Sequence, residues 1–440
     1  MFENSFFLSL IGFLIVLTPL VFIHELGHYF AAKLFKIRTN AFAVGMGPIL
    51  YRRVDKQGTE WRICALPIGG YVSFPSLEND PKNPYKAPED PEKLEEFKRT
   101  LYGAHPLKKM IVYFAGPFVN IVVAYLVFAS LIMVEGNFSY PLKIEKVVQT
   151  PYSSDLRKGD ILLQINGKNV PKNDFEWANF LNLPEANTNT EYKVYRGGRE
   201  LKVSGSPTNL ARIEFVHPNS AAFDTGLMAG DIITVVEGKE IVHFAQLAEA
   251  VRKSQGKTLK LEVWRAGDIL KFELTPRKRP LQNGTEVNEN WMIGIQAPPI
   301  PFDFELVTTR NNWLSSLLNA WTFILLNIEN TFIFLKAILI GSISTCNLSG
   351  PIGIAEITGD VAQQGVFPFF SLLASISLAL AIFNLLPIPP FDGFHMAFTA
   401  SNWILGGRVP YQLMNGISLT GILFFICFFI FISWQDIFCI

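Results

Sequence analysis

Four long runs without a charged side chain constrain this chain more than any other feature: Phe6–Ile23, Met110–Val134, Val366–Phe391 and Tyr411–Trp434. Each is long enough for a helix that crosses a bilayer, which needs about 20 apolar residues. Exposed backbone groups cannot be satisfied in hydrocarbon, so such runs are confined to helices. Composition agrees, with 49% hydrophobic residues, 17% charged residues and 38 Phe, against about 25% charged in soluble domains. The flank MFEN before the first run has no Lys or Arg, and no small-residue cleavage site follows, so this run reads as a retained anchor. A fifth stretch, Leu317–Ser344, is apolar but contains Glu329 and Lys336. It is expected as an amphipathic helix at the membrane surface.

Basic residues gather between the first two runs: Lys33, Lys36, Arg38, Arg52 and Arg53, then Lys98, Arg99, Lys108 and Lys109. The positive-inside rule makes that loop cytoplasmic and puts both termini outside. The polar region after Val134 is then outside too, and the third run re-crosses inward. A net charge of zero, with no basic stripe, excludes a nucleic-acid partner. The four cysteines, Cys64, Cys346, Cys427 and Cys439, lack paired spacing and indicate neither a disulfide framework nor a thiolate metal site.

The end of the first run reads VFIHELGHYFA, from Val21 to Ala31. Ionisable side chains are costly at membrane depth and mark function. On a helix, His24 and His28 lie one turn apart on the same face and can share a metal ion, with Glu25 beside it as a base for a bound water. His24 lies about 27 Å along the helix from Phe6, near the cytoplasmic side. A catalytic zinc takes three protein ligands and keeps one position open. Asp392, in NLLPIPPFDGFH at the far end of the third run, falls at the same depth and is the expected third ligand. That match requires an even number of crossings before the third run, which argues against a crossing by Leu317–Ser344. His395 is the next candidate, whereas His105, His217 and His243 read as ordinary surface histidines.

Residues 136 to about 300 are polar, with short β-rich runs and turn signals. LRKGDILLQINGKNV from Leu156 matches LMAGDIITVVEGKEI from Leu227, with six of fifteen positions identical. YRGGRELKVSGSP from Tyr195 is repeated as WRAGDILKFELTP from Trp264. This is one small domain in two copies. The pattern resembles a PDZ domain, closely in the second copy. The first is four residues shorter between Pro151 and Leu156 than the second is between Pro218 and Leu227. PDZ folds take extended peptides at a sheet edge, so peptide ligands are possible partners; a spacer or steric gate is the alternative.

HELGH, the tandem repeat, FAGPFVN from Phe114 and NLLPIPPFDG from Asn384 together resemble the site-2 protease family of intramembrane zinc metalloproteases over essentially the whole chain. The resemblance implies Zn2+ as cofactor, His24, His28 and Asp392 as its ligands, and Glu25 as general base. It implies substrate contacts at Asn384 and Pro387, and a cytoplasmic-side β-hairpin in VGMGP, including Gly45, Met46 and Gly47, paired with LPIGGYV from Leu66. The family has Leu-Asp-Gly-Gly where this chain has Phe391-Asp392-Gly393-Phe394.

The fold class expected is a polytopic α-helical membrane protein of about four transmembrane helices, with two inserted PDZ-like β-rich domains and a cytoplasmic-side β-hairpin. The expected domains are 1–135 with the HExxH site, 136–206 and 207–280 PDZ-like, 281–365 linker and membrane-surface helices, and 366–440 with the Asp-Gly motif. The function expected is intramembrane cleavage of single-span membrane proteins in the lipid bilayer, as the second cut of regulated intramembrane proteolysis. Anti-sigma factors and signal-peptide remnants are the implied substrates. The bacterial inner membrane is the implied location, with the PDZ-like pair periplasmic and the active site near the cytoplasmic face. The competing reading is a non-catalytic zinc-containing PDZ scaffold.

Overall fold

The computed structural model describes residues 2–75, 87–173, 176–180, 189–406 and 409–438, so Cys439 lies outside the described residues. It divides into two units. Unit 1 comprises Met1–Leu131, Leu317–Ile328 and Leu348–Ile440, and unit 2 comprises Ile132–Ser316 and Glu329–Asn347.

Unit 1 opens with α1 (Phe2–Leu34), which carries HELGH in its last third. Strands β1 (Ala41–Val54) and β2 (Glu60–Ser73) follow, then α2 (Pro91–Lys98) and the long apolar α3 (Pro106–Glu135). Helices α1 and α3 run antiparallel and very close. A Cβ on Gly27 would lie 2.4 Å from the carbonyl oxygen of Ala115, so only glycine allows this crossing. The two strands fold back on themselves. Ala41–Val44 pairs with Glu60–Ile63 on one side and with Gly70–Ser73 on the other, while Tyr51–Val54 pairs with Glu60–Ile63 again. Gly45 and Gly69, at φ +81° and +77°, make the bends this needs. Among the described residues, Gly70–Ser73 is therefore an edge of the sheet.

Unit 2 is β-rich. Strands β3 (Asn137–Phe138) and β4 (Ile144–Val147) precede a sheet of β5 (Ile161–Ile165), β6 (Lys168–Asn169), β7 (Thr190–Arg196) and β8 (Arg199–Gly205), with α4 (Trp177–Phe180) beside it. After β9 (Phe215–Val216) and α5 (Ala221–Asp224) comes a second sheet of β10 (Ile232–Val236), β11 (Lys239–Glu240), β12 (Leu259–Arg265) and β13 (Asp268–Leu274), with α6 (Phe244–Ser254). The strand orders β6-β5-β7-β8 and β11-β10-β12-β13 are the same topology twice, which is the sequence repeat made visible. Segment 281–365, read from sequence as linker and surface helices, also holds strands. The hairpin of β14 (Arg277–Asn283) and β15 (Glu286–Met292) leads to β16 (Ile295–Gln296), β17 (Phe304–Leu306) and β18 (Thr308–Thr309), which pair with β9, β4 and β3. Phe302, Phe304 and Leu306 complete the core around Ile144, Leu162 and Tyr192. These short strands escape sequence reading because their partners lie far away in the chain.

The Gly-Asp of each repeat has a structural job. Asp231, 1% exposed, receives Nε and Nη2 of Arg265 at 2.6 and 2.7 Å and the Met228 N–H at 2.9 Å. Asp160 repeats this with Arg196 and the Arg157 N–H. Burial opposes ionisation of Asp160, but the guanidinium overcomes it and holds the carboxyl below the usual range. Asp231→Ala should cost about 3 kcal/mol, the low end for breaking a buried pair because Arg265 keeps some water access. Limited proteolysis within residues 207–280 checks this, and unchanged protection would contradict it.

Asp303, 6% exposed, accepts from Ser206 Oγ at 2.8 Å, and its carboxyl is pushed up to about 6 by burial. The folded form therefore holds its proton more tightly than the unfolded chain. This stabilisation is present below about pH 4 and is lost as pH rises through 6. Asp303→Asn should accordingly stabilise unit 2 at pH 7.5, by up to about 3 kcal/mol, and do little at pH 4. Hydrogen-exchange protection at the two pH values reads the difference.

Helix α7 (Trp313–Leu339) is shared between the units. In unit 1 its Trp321 and Phe323 meet Tyr125 and Phe128 in the second half of α3. In unit 2 its Ile333, Phe334, Ala337 and Ile338 pack with Val287 of β15. Helix α8 (Pro351–Gln363) lies along α1, with Thr358 against Gly12, and Gly350 and Gly353 donate backbone N–H groups to Asp436. Helix α9 (Val366–Leu385) ends six residues before the apolar run does, at the prolines, and α10 (Asp392–Ile404) and α11 (Tyr411–Phe438) follow. By length and composition, five helices among the described residues are apolar enough to cross a membrane: α1, α3, α7, α9 and α11. The chain is a membrane protein with β-rich domains.

Candidate metal centre

HELGH lies on α1 where three elements of unit 1 converge. His24 and His28, one turn apart, are 8% and 7% exposed, and their Nε2 atoms are 3.1 Å apart. Asp392, the first residue of α10, brings Oδ2 to 3.2 Å from His24 Nε2 and 3.3 Å from His28 Nε2. Three lone-pair donors this close repel one another unless a proton or a cation lies between them. Metal–ligand bonds of 2.0–2.2 Å in tetrahedral geometry put ligand atoms about 3.3–3.6 Å apart. The observed separations of 3.1, 3.2 and 3.3 Å come close to that size, and two imidazoles with one carboxylate are a donor set zinc accepts. The residues present therefore fit the metal.

Each ligand is held from outside the triangle. His28 Nδ1 lies 2.7 Å from the carbonyl oxygen of Val112, and Asn120 Nδ2 lies 3.3 Å from His24 Nδ1, both partners being on α3. Between them Gly116 leaves room for the rings, since a Cβ there would be 2.3 Å from His28 Nε2 and 2.9 Å from His24 Cε1. Asp392 is set by the break after α9. Gly393 presses on the end of that helix, where a Cβ would meet the Leu385 carbonyl oxygen at 2.2 Å, and this explains the Asp-Gly pair. Phe394 is buried beside it without displacing Asp392 from the histidines.

Glu25, next to His24, has the backbone N–H of Val72 on β2 near its carboxylate, and Gly70 on the same strand passes close to its Cγ. The sheet is tied to α1 again through Asp55, which accepts from Tyr29 Oη at 2.9 Å, Lys33 Nζ at 3.2 Å and Trp61 Nε1 at 3.4 Å. These contacts bring an edge of the sheet to the glutamate.

The structure brings His24, Glu25, His28 and Asp392 together. Asn384 lies half-buried in the last turn of α9 and Pro387 is exposed in the turn after it. Val44 and Met46 pair with Gly70 and Leu66, so the expected hairpin forms; Gly45 is packed against the Leu66 carbonyl oxygen. His395 stays outside the triangle and stacks on Tyr113 at 5.2 Å. His243, expected at the surface, is fully buried with Nδ1 on the Thr208 carbonyl oxygen, because it caps α6. Sequence reading gave no site role to Gly70, Val72, Gly116 or Asn120, although FAGPFVN contains Gly116 and Asn120 and LPIGGYV contains Gly70 and Val72.

A hydrolase that works through one metal needs three ligands, an open position and an adjacent base. The end of α1 and the start of α10 offer that set within a bundle of membrane-type helices, which is the design of an intramembrane metalloprotease. The model of peptidase family M50 matches residues 12–428. The chain belongs to that family, the site-2 proteases, and is a zinc metalloprotease. It is 28% identical to the regulator of sigma-E protease RseP of Escherichia coli over 93% of this chain and 94% of the relative. It is likewise 28% identical to the regulator of sigma E protease of Salmonella typhimurium, over 92% and 93%. An Agrobacterium fabrum protein provisionally named zinc metalloprotease Atu1380 is 25% identical over 97% and 95%.

Proposed function

We propose that this protein cleaves peptide bonds inside the membrane-spanning segments of single-span proteins, with His24, His28 and Asp392 holding zinc and Glu25 acting as general base. The convergence of Asp392 on the two histidines carries this reading. Bound there, zinc supplies Lewis acidity and brings the pKa of a coordinated water toward ~7. Glu25 takes the proton of the attacking water and returns it to the leaving nitrogen.

A helical substrate hides its carbonyls, so it has to be opened, and open backbone in lipid costs several kcal/mol per unpaired group. The free edge Gly70–Ser73, next to Glu25, can take up such a strand. Met46 pairs with Leu66, and Gly45 and Gly47 pack against the same residue, so this segment supports that edge from behind. Asn384, in the last turn of α9, and Pro387, just after it, remain proposed substrate contacts.

Four crossings suit the geometry of unit 1. Helices α1 and α9 run in the same direction to the metal site and α3 runs opposite. The chain leaves α3 at the end away from the site and is back at that end at Gly350, beside Asp436. Helix α7 therefore makes no net crossing and lies at the outer surface. Cys346, just after α7, is disulfide-bonded, although the cysteine spacing had suggested no such role, while Cys64 in β2 is free. Disulfides persist in oxidising compartments, which supports a periplasmic end for Cys346 and a cytoplasmic-side site in a bacterial inner membrane.

The two similar sheets of unit 2 are read as PDZ-like domains. In the second, α6 and residues Trp291–Gln296 line a groove of about 360 Å³, including Phe244, Leu247 and Val251, which suits an extended peptide. Together these features suit the second cut of regulated intramembrane proteolysis, with anti-sigma factors and signal-peptide remnants as substrates. The test is incubation of the purified protein with a labelled single-span substrate, with and without a zinc chelator. Cleavage that chelation stops and added zinc restores supports the proposal; cleavage indifferent to chelation refutes it.

A further inference from the structure

Asn120 is the only polar side chain that α3 presents to the metal triangle among the described residues, and its surroundings are specific. The residue is 0% exposed, and its backbone carbonyl accepts from Ser377 Oγ on α9 at 2.9 Å. Its side chain faces His24 Nδ1 at 3.3 Å, while its Oδ1 is buried with no partner among the described residues. An orphaned buried acceptor costs about 1–3 kcal/mol, so its position calls for a reason.

The reason follows from the tautomer of His24. Its Nε2 points at Asp392 and His28, so Nε2 is the nitrogen that meets a cation. A neutral imidazole that offers Nε2 as a lone pair carries its proton on Nδ1 and must donate there. The amide NH2 of Asn120 cannot accept that proton, but its Oδ1 can. A half-turn of the amide about Cβ–Cγ leaves its shape unchanged, places Oδ1 against Nδ1–H and gives the orphaned acceptor a partner. His28 needs no such side chain, because the Val112 carbonyl oxygen, an acceptor only, sits 2.7 Å from its Nδ1.

We propose that Asn120 is a positioning residue that accepts the Nδ1 proton of His24 and fixes the tautomer with Nε2 free for zinc, while Ser377 anchors the Asn120 backbone to α9. The inference rests on the metal-site reading above. Acceptors behind ligating histidines are worth 10–100-fold in metal affinity in comparable sites.

The experiment is zinc titration of the purified full-length protein against a chromophoric chelator, for wild type, Asn120→Ala, Asn120→Asp and His24→Ala. Asn120→Ala should bind zinc about 10–100-fold more weakly. Asn120→Asp, which keeps an acceptor, should recover most of that loss. The melting temperature of each zinc-free variant separates a folding defect from a ligand defect. If Asn120→Ala does not fold, the 15N shift of His24 Nδ1 in zinc-loaded wild type decides, a protonated nitrogen supporting the proposal and an unprotonated one overturning it. Equal affinity of wild type and Asn120→Ala, or no recovery in Asn120→Asp, overturns it as well. If His24→Ala binds as tightly as wild type, the metal-site reading itself has failed.

Discussion

Replacing Glu25 by Gln is expected to lower cleavage by about 10²–10⁴-fold, the range for a general acid–base, and to leave zinc affinity near that of wild type. Glutamine keeps the shape of the side chain but cannot take a proton. Glu25 is also not among the three atoms that converge, so the ligand triangle survives the change. Zinc content by mass spectrometry, beside a cleavage assay on the same sample, separates the two effects. If zinc and cleavage disappear together, Glu25 has a structural role instead, and the non-catalytic scaffold becomes the better description.

The second large effect is expected at a residue with no chemistry of its own. Gly116→Ala adds one methyl group, yet that carbon would lie 2.3 Å from His28 Nε2 and 2.6 Å from its Cε1. Helix α3 cannot retreat readily, because Ala115 is in contact with Gly27 and the Val112 carbonyl oxygen is bonded to His28. The imidazole therefore has to swing out of the triangle. Zinc affinity should fall by about 100-fold or more, beyond the effect of losing an outer partner, and proteolysis should fall with it. Isothermal titration with zinc measures this. An affinity within a few fold of wild type would mean that α3 has room to move and does not form a rigid wall of the site.

How much of this was legible in the sequence follows from where each signal resides. HELGH and FDG announce themselves because ionisable residues in apolar runs have few structural uses. Matching their depths needed only a helical rise and a count of crossings. The duplicated sheet was legible because the repeated Gly-Asp and Arg, now seen as ion pairs on buried carboxylates, recur at nearly the same spacing, 36 and 34 residues, in the two copies. Pairings over long separations were not legible: β16 with β9, β17 with β4, and the doubled-back strands that put Val72 rather than Gly47 beside Glu25. Nor can a sequence reveal that Gly116 is required for the closeness of two rings and not for flexibility. The disulfide at Cys346 was equally hidden, since scattered cysteines indicate no pairing until the fold gathers them.

The account depends on one ion shared by the two ends of the chain. Anomalous scattering at the zinc edge, from crystals of the full-length protein, locates that ion directly. A single peak about 2.0–2.2 Å from His24 Nε2, His28 Nε2 and an Asp392 carboxylate oxygen is the result expected. A peak bound by the histidines alone, with Asp392 turned elsewhere, or a peak at some other place in the chain, would contradict it.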